Sequence, residues 1–354
     1  MKALVLSGGT GSRLRPLTYT GAKQLIPVAN VPILFHGLKA IAAAGITQVG
    51  IVVGDTRRQV IAAVGDGSGL GLRVTYIPQE SPKGLAHAVL IAEDFIAGEP
   101  FLMYLGDNLL QSGVASLVTR FHIGQTNALI LLAPVSDPRR FGVAELVGNR
   151  VAHLVEKPSD PRSNLALVGV YLFDQHIFPA VRRIRPSRRG ELEITDAIQN
   201  LIDTDHRVES SLIEGWWKDT GTPEDVLDAN RLLLENLKSK VIGLVDHSCL
   251  LRGPVVVEEG ASVRGSVIHG PAILGSGSLV KDSYVGPNTS LEKNVIVRNS
   301  HIEGSVVLEG SKILNLQSPL AECLIGRMAV IGHAHDHPRA CKMILGDDSR
   351  IALP

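Results

Sequence analysis

The residues best suited to chemistry lie near the start of the chain. Leu6-Ser7-Gly8-Gly9-Thr10-Gly11-Ser12-Arg13-Leu14 follows directly on a short apolar run. Glycines carry no Cβ, so successive backbone N–H groups can point into one concavity, which suits phosphate oxygens. Arg13 lies inside this loop, and Lys23 follows ten residues later in Lys23-Gln24-Leu25-Ile26-Pro27-Val28. A guanidinium and an ammonium beside such a nest would neutralise a polyphosphate. The loop is not a P-loop, because no Gly-Lys-Ser/Thr closes it. Gly9-Thr10-Gly11 also lacks the third glycine of a dinucleotide fingerprint.

Secondary-structure elements must hold these groups in place. Over the first 240 residues, aliphatic runs of strand length alternate with helical patterns. Lys2–Leu6, Val49–Val53, Val74–Pro78, Phe101–Leu105, Ala128–Ala133, Val151–Val155 and Val168–Phe173 read as strands. Pro32–Ala44, Arg57–Val64, Gly84–Phe95, Glu193–Ile202 and Pro223–Leu237 read as helices. This alternation predicts an α/β, Rossmann-like domain over residues 1–240, with a mainly parallel sheet and helices on both faces. Ligands of such sheets bind beyond the carboxyl ends of the strands.

From about residue 250 the period changes, and residue types recur every 17 positions. Val257, Leu274, Leu291 and Leu308 form one column, and Leu251, Ile268, Val285 and Ile302 a second. Val263, Val280 and Val297 form a third, continued by Leu314. Gly253 keeps step with Gly270, Gly260 with Gly277, and Ser266 with Ser283 and Ser300. Three short strands per turn, each sending one aliphatic side chain inward, describe a triangular parallel β-solenoid whose stacked coils bury a continuous column. Four coils are expected over 250–317, with Ile325 and Ile331 continuing two columns into a fifth; this tail spans 241–354.

Composition excludes several classes. Lys plus Arg is 35 and Asp plus Glu is 35, so the formal net charge is zero and no cationic excess is available for nucleic acid. Hydrophobic residues make up 45%, which excludes wholesale disorder, and only 4% are aromatic, so the cores are aliphatic. No run approaches the ~20 apolar residues of a membrane span. The start MKALVLSGG lacks the longer apolar stretch and cleavage site of a signal peptide. Cys249, Cys323 and Cys341 are few and scattered, as reduced thiols of a cytoplasmic protein would be.

The front loop with KQLIPV resembles the signature of sugar-1-phosphate nucleotidylyltransferases. Five later segments match in order: Gly106-Asp107-Asn108, Arg140-Phe141-Gly142-Val143, Glu156-Lys157-Pro158, Gly190-Glu191-Leu192-Glu193-Ile194-Thr195-Asp196, and Trp217-Lys218-Asp219-Thr220-Gly221. The resemblance covers residues 1–237 and, more loosely, the tail, which is similar to the left-handed β-helix of hexapeptide-repeat proteins. One departure is Val31, where many relatives have Lys before Pro32. Within the family the match is to members with such a tail that use dTTP and glucose 1-phosphate, giving dTDP-glucose and pyrophosphate.

The resemblance implies a role for each matching residue. Arg13 and Lys23 would contact the triphosphate and stabilise charge at the α-phosphate, with Leu6, Gly8, Gly9 and Gly11 forming the cradle. Gln79 and Gly84 would read the pyrimidine edge, a side-chain amide being able to donate and accept at once. Asp107 and Asp219 would hold Mg²⁺ against the nucleotide. Lys157 would bind the sugar phosphate with Arg189 as helper, Glu156 would accept from sugar hydroxyls, and Gly142 and Val168 would offer backbone contacts. A uridylyltransferase using UTP stays open as an alternative, since thymine and uracil differ by one methyl. So does a bifunctional enzyme with an acyltransferase tail, although His269 and His301 lie in no Asn/His-rich insertion. Flat solenoid faces imply a homo-oligomer. His333, His335 and His337 alternate as metal ligands on a strand would, but Pro338 and their place beyond the repeats favour a loop or coil cap.

Overall fold

The computed structural model describes residues 1–148 and 150–332. His333, His335 and His337 lie outside the described residues. The chain forms two compact units. The first comprises Met1–Thr10, Gly21–Leu25 and Ile33–Asp219; the second comprises Gly11–Thr20, Ile26–Pro32 and the chain from Thr220 onward.

The first unit is built on a sheet of β1 (Lys2–Ser7), β2 (Gln48–Val53), β3 (Arg73–Pro78), β4 (Phe101–Leu105), β5 (Ala128–Pro134), β6 (Gly142–Val147), β7 (Arg150–Glu156), β8 (Leu165–Phe173) and β9 (Val208–Leu212). Their order is β3-β2-β1-β4-β8-β5-β9-β7-β6. The four strands from β3 to β4 are parallel, and so are β5 and β9. β8 enters antiparallel to both β4 and β5, and β6 and β7 form an antiparallel pair. Side chains alternate across the sheet into two aliphatic cores. Leu4, Leu6, Phe101 and Met103 face one, while Ala3, Val5, Leu102 and Tyr104 face the other. The sequence pattern did not reveal β6 or β9, whose partly exposed, polar-containing runs blunt the apolar signal. The helix expected over Gly84–Phe95 is broken into Leu85–Leu90 and Glu93–Ile96. Among the described residues no helix is long and apolar enough to cross a membrane.

The second unit contains the solenoid. Three parallel sheets of six, six and five short strands run from Lys240–Val241 to Val330–Gly332, so the coils extend beyond both ends of the predicted repeat. The second column and the first three members of the others pair as expected: Val257 with Leu274 and Leu291, Leu251 with Ile268, Val285 and Ile302, and Val263 with Val280 and Val297. Two assignments need correction. Val307, not Leu308, follows Leu291, and Ile313, not Leu314, follows Val297. A one-residue-shorter turn between Ile302 and Val307 resets the register, and a slip of one residue reverses which side chain points inward. Ile325 and Ile331 continue the columns as expected.

The repeated serines form an internal ladder. The hydroxyl of Ser266 accepts from the Ser283 N–H at 3.1 Å, that of Ser283 from the Ser300 N–H at 3.3 Å, and that of Ser300 from the Leu316 N–H at 3.1 Å. In the same unit a helix over Pro223–Leu234 opens with a reciprocal Thr222–Asp225 capping box. Its buried Asn230 accepts from the Ala29 N–H at 2.8 Å and the Ser290 hydroxyl at 2.7 Å, and donates to the Asn288 carbonyl at 2.9 Å. A buried amide with its polar atoms occupied orders these segments without a desolvation deficit.

Truncating a fully buried column member tests the stack. Ile302→Ala should destabilise the solenoid by about 2–5 kcal/mol, read from denaturant unfolding. A loss under about 0.5 kcal/mol would mean that the column does not carry the coil packing.

Candidate active site

β4 ends at Leu105, and Gly106-Asp107-Asn108 turns the chain away from the sheet edge. Asn108–Leu110 then pairs antiparallel with Trp217–Asp219, Asn108 opposite Asp219. This small ribbon brings two acidic residues more than a hundred positions apart into one place. Asn108 is its brace. Its backbone carbonyl accepts from the buried Tyr104 hydroxyl at 2.9 Å, its Nδ2 donates to Asp107 Oδ1 at 3.0 Å, and its Oδ1 accepts from the Trp217 indole. Burial and the nearby Asp107 charge push the Tyr104 phenol well above its ordinary pKa, so it stays a donor.

Lys23 reaches the same place from the short turn Lys23–Leu25. Its side chain is only 7% exposed, and its Nζ lies 2.5 Å from Asp107 Oδ2 and 3.8 Å from Asp219 Oδ1. A buried ammonium without partners would be very costly, so the two carboxylates are what allow it there. The donor set passes a test for magnesium. Two carboxylates converge within reach of one point, and Mg²⁺ characteristically takes one or two carboxylates plus phosphate and water oxygens. Among the described residues no cluster of three or more acidic, His or Cys side chains forms an all-protein cage.

Gly8 and Gly9 follow β1 in this unit. A Cβ on Gly8 would stand 3.3 Å from Gln79 Oε1, so the glycine keeps that oxygen uncovered. Gly84 has φ 99°, and a Cβ there would meet the Leu192 carbonyl at 2.4 Å, so no other residue fits. Leu192 in turn donates its N–H to the Lys83 carbonyl at 2.8 Å.

The segment 190–196 also reaches the second set of predicted residues. Thr195 donates its hydroxyl to Glu156 Oε2 at 3.3 Å, and Arg189 Nη1 lies 3.4 Å from Glu156 Oε1. Lys157 Nζ is 3.6 Å from the same oxygen, and its backbone is left-handed at φ 43°. Gly142 pairs with Glu156 across β6 and β7, and a Cβ on it would come within 2.6 Å of Thr195 Cγ2. Val168 is fully buried, backbone included, so the expected sugar contact at this position is not open in this structure. Burial, only partly offset by the Lys157 and Arg189 charges, raises the Glu156 pKa.

The residues therefore fall into groups. Lys23, Asp107 and Asp219 come together; Gly8, Gln79 and Gly84 come together; Gly142, Glu156, Lys157 and Arg189 come together. Gly11 and Arg13 belong to the second unit, where the Arg13 guanidinium lies beside Gly221. A cavity of about 1050 Å³ in that unit is lined by Arg13, Arg15, Arg327, Leu308, Leu324 and Thr222 among others; of the predicted site residues only Arg13 borders it. Asn108, Thr195 and Leu192 were not singled out individually in the sequence. Each lies inside a matching motif, which was the available signal.

A Gly-rich loop after a first strand, acidic residues beyond strand ends and a buried lysine between them define a phosphate-handling α/β enzyme site. Comparison with known proteins makes this specific. The family model for nucleotidyl transferases matches residues 2–236, and the chain belongs to that family. A glucose-1-phosphate thymidylyltransferase of Streptomyces griseus is 53% identical over 354 residues, covering 100% of this chain and 99% of the relative. A low-salt glycan biosynthesis nucleotidyltransferase of Haloferax volcanii is 45% identical, covering 100% of both. A solved Bacillus anthracis chain, described as a glucose-1-phosphate thymidylyltransferase in complex with sucrose, superposes with a TM-score of 0.62 at 35% identity, over 66% of this chain and 94% of that one.

The raised Glu156 pKa predicts a stability signature. Because the folded value exceeds the unfolded one, the contribution is full below the unfolded pKa and is lost as pH rises through the folded pKa. Glu156→Gln should therefore gain in Tm relative to the parent on going from pH 4 to pH 8, measured by calorimetry. A gain that shrinks over that interval would show that the ion pairs with Lys157 and Arg189 outweigh burial.

Proposed function

We propose that this chain transfers a thymidylyl group from dTTP to glucose 1-phosphate, giving dTDP-glucose and pyrophosphate. The observation that carries the reading is the buried Lys23 held between Asp107 and Asp219 beyond the strand ends. The choice of dTTP and glucose 1-phosphate is supported by the full-length likeness to the Streptomyces griseus enzyme.

The sugar phosphate attacks the α-phosphorus in line, and pyrophosphate leaves. A phosphate oxygen is already a nucleophile, so positioning and charge neutralisation supply the catalysis rather than a general base. Gly8 and Gly9, with Leu6 and Gly11 flanking them, offer backbone to the nucleotide. Lys23 neutralises the triphosphate, the role that the family resemblance also gives to Arg13 of the glycine loop. Asp107 and Asp219 are the residues that would hold Mg²⁺, which when bound offsets charge on the phosphates. Gln79 and Gly84 face the pyrimidine. Lys157 and Arg189 bind the sugar phosphate, while Glu156 accepts from sugar hydroxyls beside Gly142. We assign nucleotidyl transfer to the domain that the sequence bounds at 1–240, and self-assembly in a cytoplasmic enzyme to the coils that follow it and end, among the described residues, at Gly332.

A pyrophosphate-release assay with glucose 1-phosphate and Mg²⁺ tests this. Turnover with dTTP should exceed turnover with UTP, and a tenfold reversal would make the chain a uridylyltransferase. Asp107→Asn and Asp219→Asn should each lower kcat about 10²–10³-fold, the cost of losing a group that stabilises developing charge. A fully active double variant would remove both from the metal site.

A further inference from the structure

Two neighbours set the orientation of the Gln79 side-chain amide. Its Nε2 lies 3.0 Å from His87 Nδ1 and 3.4 Å from the Gly84 carbonyl oxygen. A carbonyl can only accept, so the amide atom facing both partners is the nitrogen. His87 Nδ1 must then be the acceptor, which places the imidazole proton on Nε2. Burial first, and the Lys83 ammonium second, hold the His87 pKa below its ordinary value. The ring is therefore neutral at pH 7 and able to accept. His87 is fixed by the helix Leu85–Leu90, and Gly84 by its tight packing against Leu192.

With its N–H groups turned to these two partners, Gln79 has one polar atom left. Oε1 points toward Gly8, which has no side chain to cover it. The amide therefore meets a base as an acceptor, not as the combined donor and acceptor that its chemistry alone allows. Thymine and uracil carry a hydrogen on N3. Cytosine has a lone pair there, and two lone pairs facing each other repel.

We propose that His87 is a positioning residue that locks Gln79 with its oxygen toward the base, so that the site selects thymine or uracil over cytosine through N3–H. The inference rests on the nucleotidyl-transfer reading and adds a base-selecting residue to it. His87 acts through Gln79 and touches no reacting atom. It does not distinguish thymine from uracil, which share N3–H and differ at the methyl.

The test uses the full chain with glucose 1-phosphate, Mg²⁺ and either dTTP or dCTP. His87→Phe keeps the ring but removes the acceptor. It should raise KM for dTTP about tenfold and shrink the dTTP-to-dCTP ratio of kcat/KM about tenfold, the size expected when a buried polar partner is lost. KM for glucose 1-phosphate should stay within about twofold, as expected of a change confined to the base side. His87→Asn places an amide oxygen near the position of Nδ1 and should recover most of the dTTP preference. Unchanged selectivity in His87→Phe, while Gln79→Ala loses it, overturns the role of His87 and leaves the functional reading intact. Equal losses in the Phe and Asn variants, with KM for both substrates raised, would reduce His87 to a packing residue. A parent chain that turns over neither triphosphate overturns the functional reading and this inference with it.

Discussion

The first unit depends on one electrostatic arrangement, a buried lysine between two aspartates. Lys23 cannot be neutralised by water where it sits, so Asp107 and Asp219 must be near it. Those carboxylates come from separate parts of the chain, and the large sheet alone would not join them. The Asn108–Leu110 and Trp217–Asp219 pairing does so, and Asn108 secures it with three hydrogen bonds. The ammonium offsets the mutual repulsion of the two acids in a folded chain without ligand. It also leaves a positive charge and two hard oxygen donors beside each other, the combination that a triphosphate with a divalent ion requires.

A second constraint links the Gln79–Gly84 group to the Glu156 group. Leu192 fills the space a side chain on Gly84 would need, and Thr195, three residues on, donates to Glu156. One short segment thus sets the shape of both groups. Its glutamates also surround Arg189, which lies within 3.1 to 3.4 Å of Glu156, Glu191 and Glu193. A guanidinium so surrounded is held in place by its own chain, which lowers the cost of ordering it further. The burial that raises the Glu156 pKa is the cost of holding that carboxylate against Thr195 and away from water.

The solenoid works by repetition. Each inward aliphatic side chain stacks on its neighbours above and below, and each buried serine caps the N–H of the next coil. Left-handed turn residues keep pace, with Gly260, Gly277, Asn294 and Gly310 all at positive φ. Coil length is nevertheless not rigid. The turn before Val307 is shorter and the segment before Leu320 longer than the 17-residue repeat, and pairing resumes after each.

Much of this was legible in the sequence. Hydrophobic periodicity is local, so it marked most sheet strands, most helices and the repeat of the tail. The glycine loop and Lys23 stood out because few residue types serve phosphate chemistry, while Asp107 and the Glu156-Lys157 pair were singled out through the family resemblance. Other features were decided only by the fold. The register beyond Ile302 depends on one deleted turn residue, which a fixed period cannot anticipate. The joining of Asp107 to Asp219 depends on a two-strand ribbon too short to leave an apolar pattern. The polarity that Gln79 presents depends on a histidine eight residues away and a carbonyl five residues away, because an amide has two chemically different ends and only its neighbours in space choose between them.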